Sequence, residues 1–311
     1  MAELTQAQMA LLEELTGLTG CNPGGAINIR ANGELAVRQV TDNIKITSKT
    51  EPGKSGIDIH ISSACKGETM YIPVVIDDSG RKDVVYNDFF VEEGADVIII
   101  AGCGIHNCGN SDSEHDGIHR FFIGKNASIK YIENHYGDGD GNGKRILNPV
   151  TEVYMEEGSS AEMEMVQIKG VDSTIRTTKS VLAKDAKLVV RERLMTHGQQ
   201  YAESVYLTEL NGDGASADVV SRSVARENSF QKYTSRIVGN AACTGHTECD
   251  AILMDKARVL AIPELDAVNL DAALVHEAAI GKIAGDQLIK LMTLGLTAEE
   301  AEEQIVNGFL K

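Results

Sequence analysis

The sequence predicts an all-β core, a right-handed parallel β-helix (β-solenoid), with a short N-terminal helix and a C-terminal two-helix segment. Three observations carry that expectation. Apolar and polar residues alternate with period two through residues 26–100, the spacing of strands that bury one face. A short strand motif led by a small residue then recurs down the chain, as stacked coils require. Aromatic residues make up only 5% and Trp is absent, so the core rests on Val, Ile, Leu, Ala and Met, which suit stacked β-layers. The expected divisions are a helix in 1–20, a β-helix core over 21–283 and a helical segment over 284–311.

Residues 3–15 carry Leu4, Ala7, Met9, Leu11, Leu12 and Leu15, close to a helical stripe that Gly17 and Gly20 break. Strands follow in Ile27-Asn-Ile29, Ile44-Lys-Ile46 and Ile57-Asp-Ile59-His-Ile61, punctuated by Asn32-Gly33, Pro52-Gly53 and Ser79-Gly80. The recurring motif sets apolar positions two and four residues after its leading residue: Ala95, Ala127, Ala161, Ala186, Ala215 and Ala257. Their spacings are 32, 34, 25, 29 and 42 residues, and that unevenness leaves a β-sandwich or jelly roll as the alternative architecture. In the tail, Asp286-Gln-Leu288-Ile289-Lys-Leu291-Met292 has helical spacing and stops at Gly295. Thr297-Ala-Glu-Glu300 forms a capping box for a second helix carrying Ala301, Ile305 and Val306. Two such helices are expected to cap the open end of the solenoid.

A net charge of −17 argues against a nucleic-acid partner, which needs clustered Lys and Arg. No run of eighteen apolar residues occurs, and residues 1–20 lack the pattern of a signal peptide. The expectation is a cytoplasmic protein with no membrane partner. In that compartment the six cysteines, Cys21, Cys65, Cys103, Cys108, Cys243 and Cys249, are thiols or metal ligands rather than disulfides.

Two constellations could carry chemistry. Cys249 stands between Glu248 and Asp250 in an extended segment that opens with Cys243 and His246, and His276-Glu277 follows one repeat length later, which places the pair beside it on the adjacent coil. Thiolate, imidazole and carboxylate together suit iron. The plain alternative is a buried core thiol and a hydrogen-bonded structural histidine. The second constellation gathers Cys103, His106, Cys108, His115 and His119 within seventeen residues, with His135 one coil later. It could hold zinc or iron, and a metalloenzyme with an open coordination position is the rival function. A polar loop whose histidines bond to Asp112, Glu114 and Asp116 explains the same residues. His197 reads as a turn residue. Gly137-Asp-Gly-Asp-Gly-Asn-Gly143 lacks the bidentate Glu of a calcium loop and reads as a solvated turn. There is no phosphate-binding GxxxxGK[ST] and no GxSxG.

The last seventy residues hold Glu248-Cys249-Asp250, Pro263, His276-Glu277-Ala278, Gly281-Lys282-Ile283, Asp286-Gln287-Leu288, Gly295-Leu296, Glu299 with Ala301, and Gly308-Phe309, in that order. This resembles the C-terminal part of the SufB/SufD family of iron–sulfur cluster assembly scaffolds, with a weaker likeness through the central strands. The resemblance implies a β-helix and puts Cys249 at the SufB cysteine position, with His276 and Glu277 at the His-Glu pair. In the family these residues line the interface of two scaffold subunits where the cluster forms. It further implies a SufC-like ABC-type ATPase docking on 284–311, recipient apoproteins, and a scaffold that leaves ATP hydrolysis to its partner. An iron–sulfur cluster, 4Fe-4S favoured, is expected to be held transiently. One protomer offers too few thiolates for four-cysteine ligation, so a homodimer is expected, with a SufB/SufD-like heterodimer as the alternative. The chain is shorter than typical members, as a minimal SufB-like scaffold would be.

Overall fold

In the computed structural model, which describes residues 4–18 and 24–311, two ten-stranded sheets face each other in a β-solenoid of about eight turns. Each coil gives one strand to each sheet. In the first sheet Lys66–Ile76, Asp96–His106, Ser128–Asp138, Ser160–Lys169, Lys187–Thr196, Ser216–Ala225, Thr244–Leu253 and Ala273–Gly281 pair in parallel. The second sheet runs from Lys82–Val91 to Arg258–Ala267 in the same manner. Only the N-terminal pairs Ala26–Ala31 with Glu34–Gln39 and Ile44–Ser48 with Gly56–Ile61 are antiparallel. Parallel neighbours one coil apart exclude the sandwich and the jelly roll.

The corner residues explain the repeat. Gly94, Asn126, Gly158, Asp185 and Gly214 all have positive φ, between 55° and 74°, a conformation that Gly, Asn and Asp adopt most readily. Each precedes a small buried residue, Ala95, Ala127, Ser159, Ala186 and Ala215, whose N–H closes the turn onto the carbonyl three residues back. The alignment expected from sequence slips twice. Ala161 pairs with Ile129, so Ser159 is the corner residue of that coil; Ala257 precedes a strand of the second sheet, and the sixth leading residue of the first sheet is Cys243. The spacings become 32, 32, 27, 29 and 28 residues, and the irregularity disappears.

The inward side chains form a core that changes character along the axis. Its first coils pack aromatics, Phe89 stacked on Phe121 at 4.4 Å and Tyr131 edge-on to it, beside buried Asn87, His119 and Glu133. Its later coils carry buried Thr178, Ser180, Ser204, Thr208, Ser221, Ser223, Ser235 and Thr247. The N-terminal helix, Gln6–Thr16, starts at a Thr5–Gln8 capping box and ends at Gly17. It lies on the outer face of the first sheet, where Gly102 and Gly104 leave room: a Cβ there would stand 3.1 Å from Leu15 and 3.0 Å from Leu11. Cys21 and the remainder of 1–20 beyond residue 18 lie outside the described residues.

The C-terminal helices, Gly285–Met292 and Ala298–Phe309, form as their capping and spacing predict. Their placement differs from expectation. Val306 and Leu310 pack on Val224, with Met195, Ile252, Met254 and Ile283 beside them, so the helices sit against the strand ends of the first sheet. Arg226 ties them there through Glu302 at 3.0 Å. The final coil is left uncovered: the second helix uses its apolar side against the flank, and the first buries none of its residues.

Candidate metal and thiol site

Cys249 lies on the penultimate strand of the first sheet and His276-Glu277 on the last. Their register is fixed: Thr247 opposes His276, Glu248 opposes Glu277 and Cys249 opposes Ala278. Alternation then sorts them by face. Thr247 and Cys249 point into the solenoid, Cys249 with 1% exposure, and half-buried His276 shares that face. The His276 Nδ1 is buried with no hydrogen-bond partner. Glu277 is on the opposite, outer face, with His246 and Glu248. The three residues expected to act together are thus divided by the plane of the sheet, and Cys249 and His276 remain neighbours on the diagonal.

Burial, then the nearby Glu192 and Asp250 carboxylates, push the Cys249 thiol up to about 12. Burial and His246 lower the His276 pKa against a Thr247 backbone hydrogen bond that raises it, which favours the neutral imidazole, the form that can ligate a metal. On the outer face, His246 Nδ1 bonds Asp218 Oδ1 at 2.7 Å, and its Nε2 stands 4.0 Å from Glu277 Oε2. Burial and the adjacent Asp250 raise the Glu248 carboxyl. Among the described residues, His246, Glu248 and Glu277 are the one set of three or more His, Cys, Asp or Glu side chains with ligand atoms all within 4.8 Å of one another.

The 103–119 residues do not come together as one site. Cys103, His115 and His119 point inward and, with Glu133 and His135, line a cavity of about 10 Å³. His106 faces outward onto Asp138 at 2.7 Å, and exposed Cys108 meets its Nε2 at 3.0 Å. The inward set belongs to a buried polar network. Tyr131 donates to Glu133 at 2.9 Å and His119 Nδ1 meets the Tyr131 hydroxyl at 2.7 Å. Arg176 donates to Glu133 and to His135 Nδ1, and lies 3.8 Å from Glu192. Ser204 and Ser221 each donate to Glu192 at 2.6 Å, and Ser221 is the register partner of Cys249. Sequence reading missed Arg176, Glu133 and Glu192, since a charged residue at an inward phase looks like a break in the alternation. His246 and Glu248 were visible as an i, i+2 pair one coil before Glu277.

Comparison with known proteins agrees with this architecture. Residues 87–309 match the family model described as SUF system FeS cluster assembly, SufBD core domain. The chain belongs to the SufBD family. An iron–sulfur cluster assembly SufBD family protein of Archaeoglobus fulgidus is 30% identical over 235 residues, 74% of this chain and 61% of the relative. One from Methanocaldococcus jannaschii is 28% identical over 275 residues, 88% of this chain and 86% of the relative. One from Methanothermobacter thermautotrophicus is 27% identical over 241 residues, covering 76% and 57% respectively. The chain spans only about three fifths of the length of the Archaeoglobus and Methanothermobacter relatives. No helix among the described residues is long and apolar enough to cross a membrane.

In this SufBD chain the buried network makes the fold acid-sensitive. Burial, helped by Arg176 and His115 and opposed by Glu133, pushes His119 down to about 4. Burial and Arg176 likewise push His135 down to about 3 against the pull of Glu133. Both are neutral in the folded protein. As pH falls below about 6.5 the unfolded chain takes up these protons first, so their stabilisation is complete above that pH and is lost toward 4 and 3. Each histidine contributes a slope of up to ~1.4 kcal/mol per pH unit. Urea unfolding at pH 7.5, 6 and 5 should show stability falling at each step, and His135→Gln should flatten the slope by about one proton. A stability independent of pH over that range would contradict the buried neutral imidazoles.

Proposed function

We propose that the chain is a scaffold on which iron and sulfide are assembled into a cluster and passed to apoproteins, with Cys249 and His276 of two protomers as the inner ligands and Glu277 at the rim. The observation that carries this reading is the position of the pair. A buried thiol and a half-buried imidazole with a free Nδ1 sit side by side on the last two coils, where the solenoid ends on an open edge. That edge exposes Leu260, Leu265, Val268, Leu270, Val275 and Ile280, and an uncovered strand edge with apolar side chains favours pairing with another chain. A second copy meeting it there supplies the thiolate and imidazole that one protomer lacks, which favours a homodimer over a SufB/SufD-like heterodimer.

An ABC-type ATPase resembling SufC docks on the C-terminal helices in this reading. Ile289, Met292 and Leu294 are exposed on and after the first helix, while the second helix is anchored through Val306 and Leu310. The ATPase moves the protomers and opens the thiol, and this chain performs no turnover of its own. The cluster is held transiently, with 4Fe-4S favoured, and the cytoplasm is its place of work.

Anaerobic reconstitution with iron and sulfide, with and without the ATPase, tests the reading by absorption and Mössbauer spectra. The wild type should acquire about one cluster per dimer, and Cys249→Ala should lose at least ~90% of it. A cluster that survives Cys249→Ala and disappears in His115→Ala/His119→Ala would overturn the assignment and move the site to the interior cavity.

A further inference from the structure

We propose that His246, Glu248 and Glu277 form a binding site for a single divalent first-row transition cation on the outer face of the first sheet, separate from the inner Cys249. Three observations converge on it. First, the ligand atoms of all three lie within 4.8 Å of one another. An ion with nitrogen and oxygen ligands at about 2.1 Å spaces its donors by roughly 3–4 Å, so a small rotation of the exposed Glu277 side chain closes the site.

Second, the imidazole is already oriented. Arg191 donates to Asp218 Oδ2 at 2.6 Å, and the other oxygen, Oδ1, holds His246 Nδ1 at 2.7 Å. This fixes the proton on Nδ1 and directs the lone pair of Nε2 toward Glu277. A carboxylate behind a ligating histidine is the usual support for a metal-bound imidazole. Asp218 is a positioning residue here.

Third, the two carboxylates lack the ion pairs that several of their neighbours have. On the first sheet Glu162 and Glu164 are matched by Lys130 one coil away, Glu164 also by Arg193, and Asp218 by Arg191. Glu248 and Glu277 are register partners on adjacent strands, yet neither forms a salt bridge with Lys or Arg among the described residues, and the ionisable contact of Glu277 is His246. Two carboxylates side by side repel unless a cation lies between them. The site also opens on a cavity of about 450 Å³ lined by Arg191, Asp218, Arg222, His246 and Glu248, so water and a hydrated ion can reach it.

One imidazole and two carboxylates, without a thiolate, select Fe²⁺, Mn²⁺, Co²⁺ or Zn²⁺ rather than a soft ion. That the natural ion is ferrous iron rests on the scaffold reading above, since iron held across the sheet from Cys249 is iron in reserve for the cluster. Binding itself does not depend on that reading.

The test is anaerobic titration of the metal-free full chain with Mn²⁺ and Co²⁺, by calorimetry and by cobalt absorption. Wild type should bind about one ion per chain with a spectrum free of thiolate charge-transfer bands. His246→Ala and Glu248→Gln, shown to be folded by their melting curves, should each weaken binding at least ~10-fold. Absence of binding by the wild type, unchanged affinity in both variants, or a thiolate band on adding Co²⁺ would each overturn the site. Reconstitution at Cys249 is read separately, so the cation site and the scaffold function can fail independently.

Discussion

Replacing Arg176 with alanine is expected to destabilise the fold by about 3–5 kcal/mol, the cost of removing one partner from a buried ion pair. Arg176 is buried, and its guanidinium is shared by Glu133, His135 and Glu192. Burial alone would raise the Glu133 carboxyl, but Arg176, His135 and His119 outweigh it and hold the group well below the usual carboxylate range. Without the guanidinium, Glu133 must ionise unpaired in the core or take up a proton, and either outcome lowers stability. Arg176→Lys should recover only part of the loss, since an ammonium cannot reproduce the guanidinium fork. Lys184→Ala, which removes the exposed Lys184–Glu157 pair at 3.5 Å, should cost no more than about 1 kcal/mol. Urea unfolding of the three variants makes the comparison, and Arg176→Lys remains measurable if the alanine variant does not fold. Equal losses for Arg176→Lys and Lys184→Ala would show that the network does not hold the core.

How much of this was legible in the sequence depends on which physical signal each feature leaves. Period-two alternation and the Gly-Ala, Asn-Ala and Asp-Ala corners belong to local backbone geometry, so the coils and their stacking could be read directly. The leading residues slipped at Ala161 and Ala257 because a corner Ser or Cys does the same work as Ala, and because the second sheet also turns onto a small residue, Ala257, by a bond to the carbonyl three residues back. The capping boxes at Thr5 and Thr297 are likewise local and formed as expected. Placement of the C-terminal helices was not local: it follows from the match of Val306 and Leu310 to Val224, a contact made across some eighty residues. The candidate site shows the same division. Proximity of Cys249 to His276-Glu277 followed from the repeat length, whereas the face of each residue depended on a register that a repeat count cannot fix. One strand step puts Glu277 on the far side of the sheet from Cys249. The 103–119 cluster was dense in sequence and is dispersed in space for the same reason, Cys103 pointing in and His106 out.

Cys249 in the free protein is expected to react with iodoacetamide at pH 8 about a thousand-fold more slowly than an ordinary thiol. The thiolate is the nucleophile, and with burial, Glu192 and Asp250 pushing the group up to about 12, only about one thiol in 10⁴ is ionised at pH 8. Limited access at 1% exposure slows it further. Exposed Cys108 should be labelled first, with buried Cys65, Cys103 and Cys243 lagging, and peptide mass mapping over time separates them. The same chemistry bears on cluster building. A protonated thiol behind Glu192 is a poor ligand and a poor sulfur acceptor, so the closed coil protects Cys249 until the surroundings change. If an ATPase partner opens the protomer interface, adding it with ATP should raise the Cys249 rate at least ~10-fold and leave Cys103 unchanged. A Cys249 that reacts as fast as Cys108 in the free chain would show a thiol already open, and the gating step would then have nothing to gate. Unchanged slow labelling in the presence of ATPase and ATP would place the activating event elsewhere, in iron binding or in the arrival of the sulfur donor.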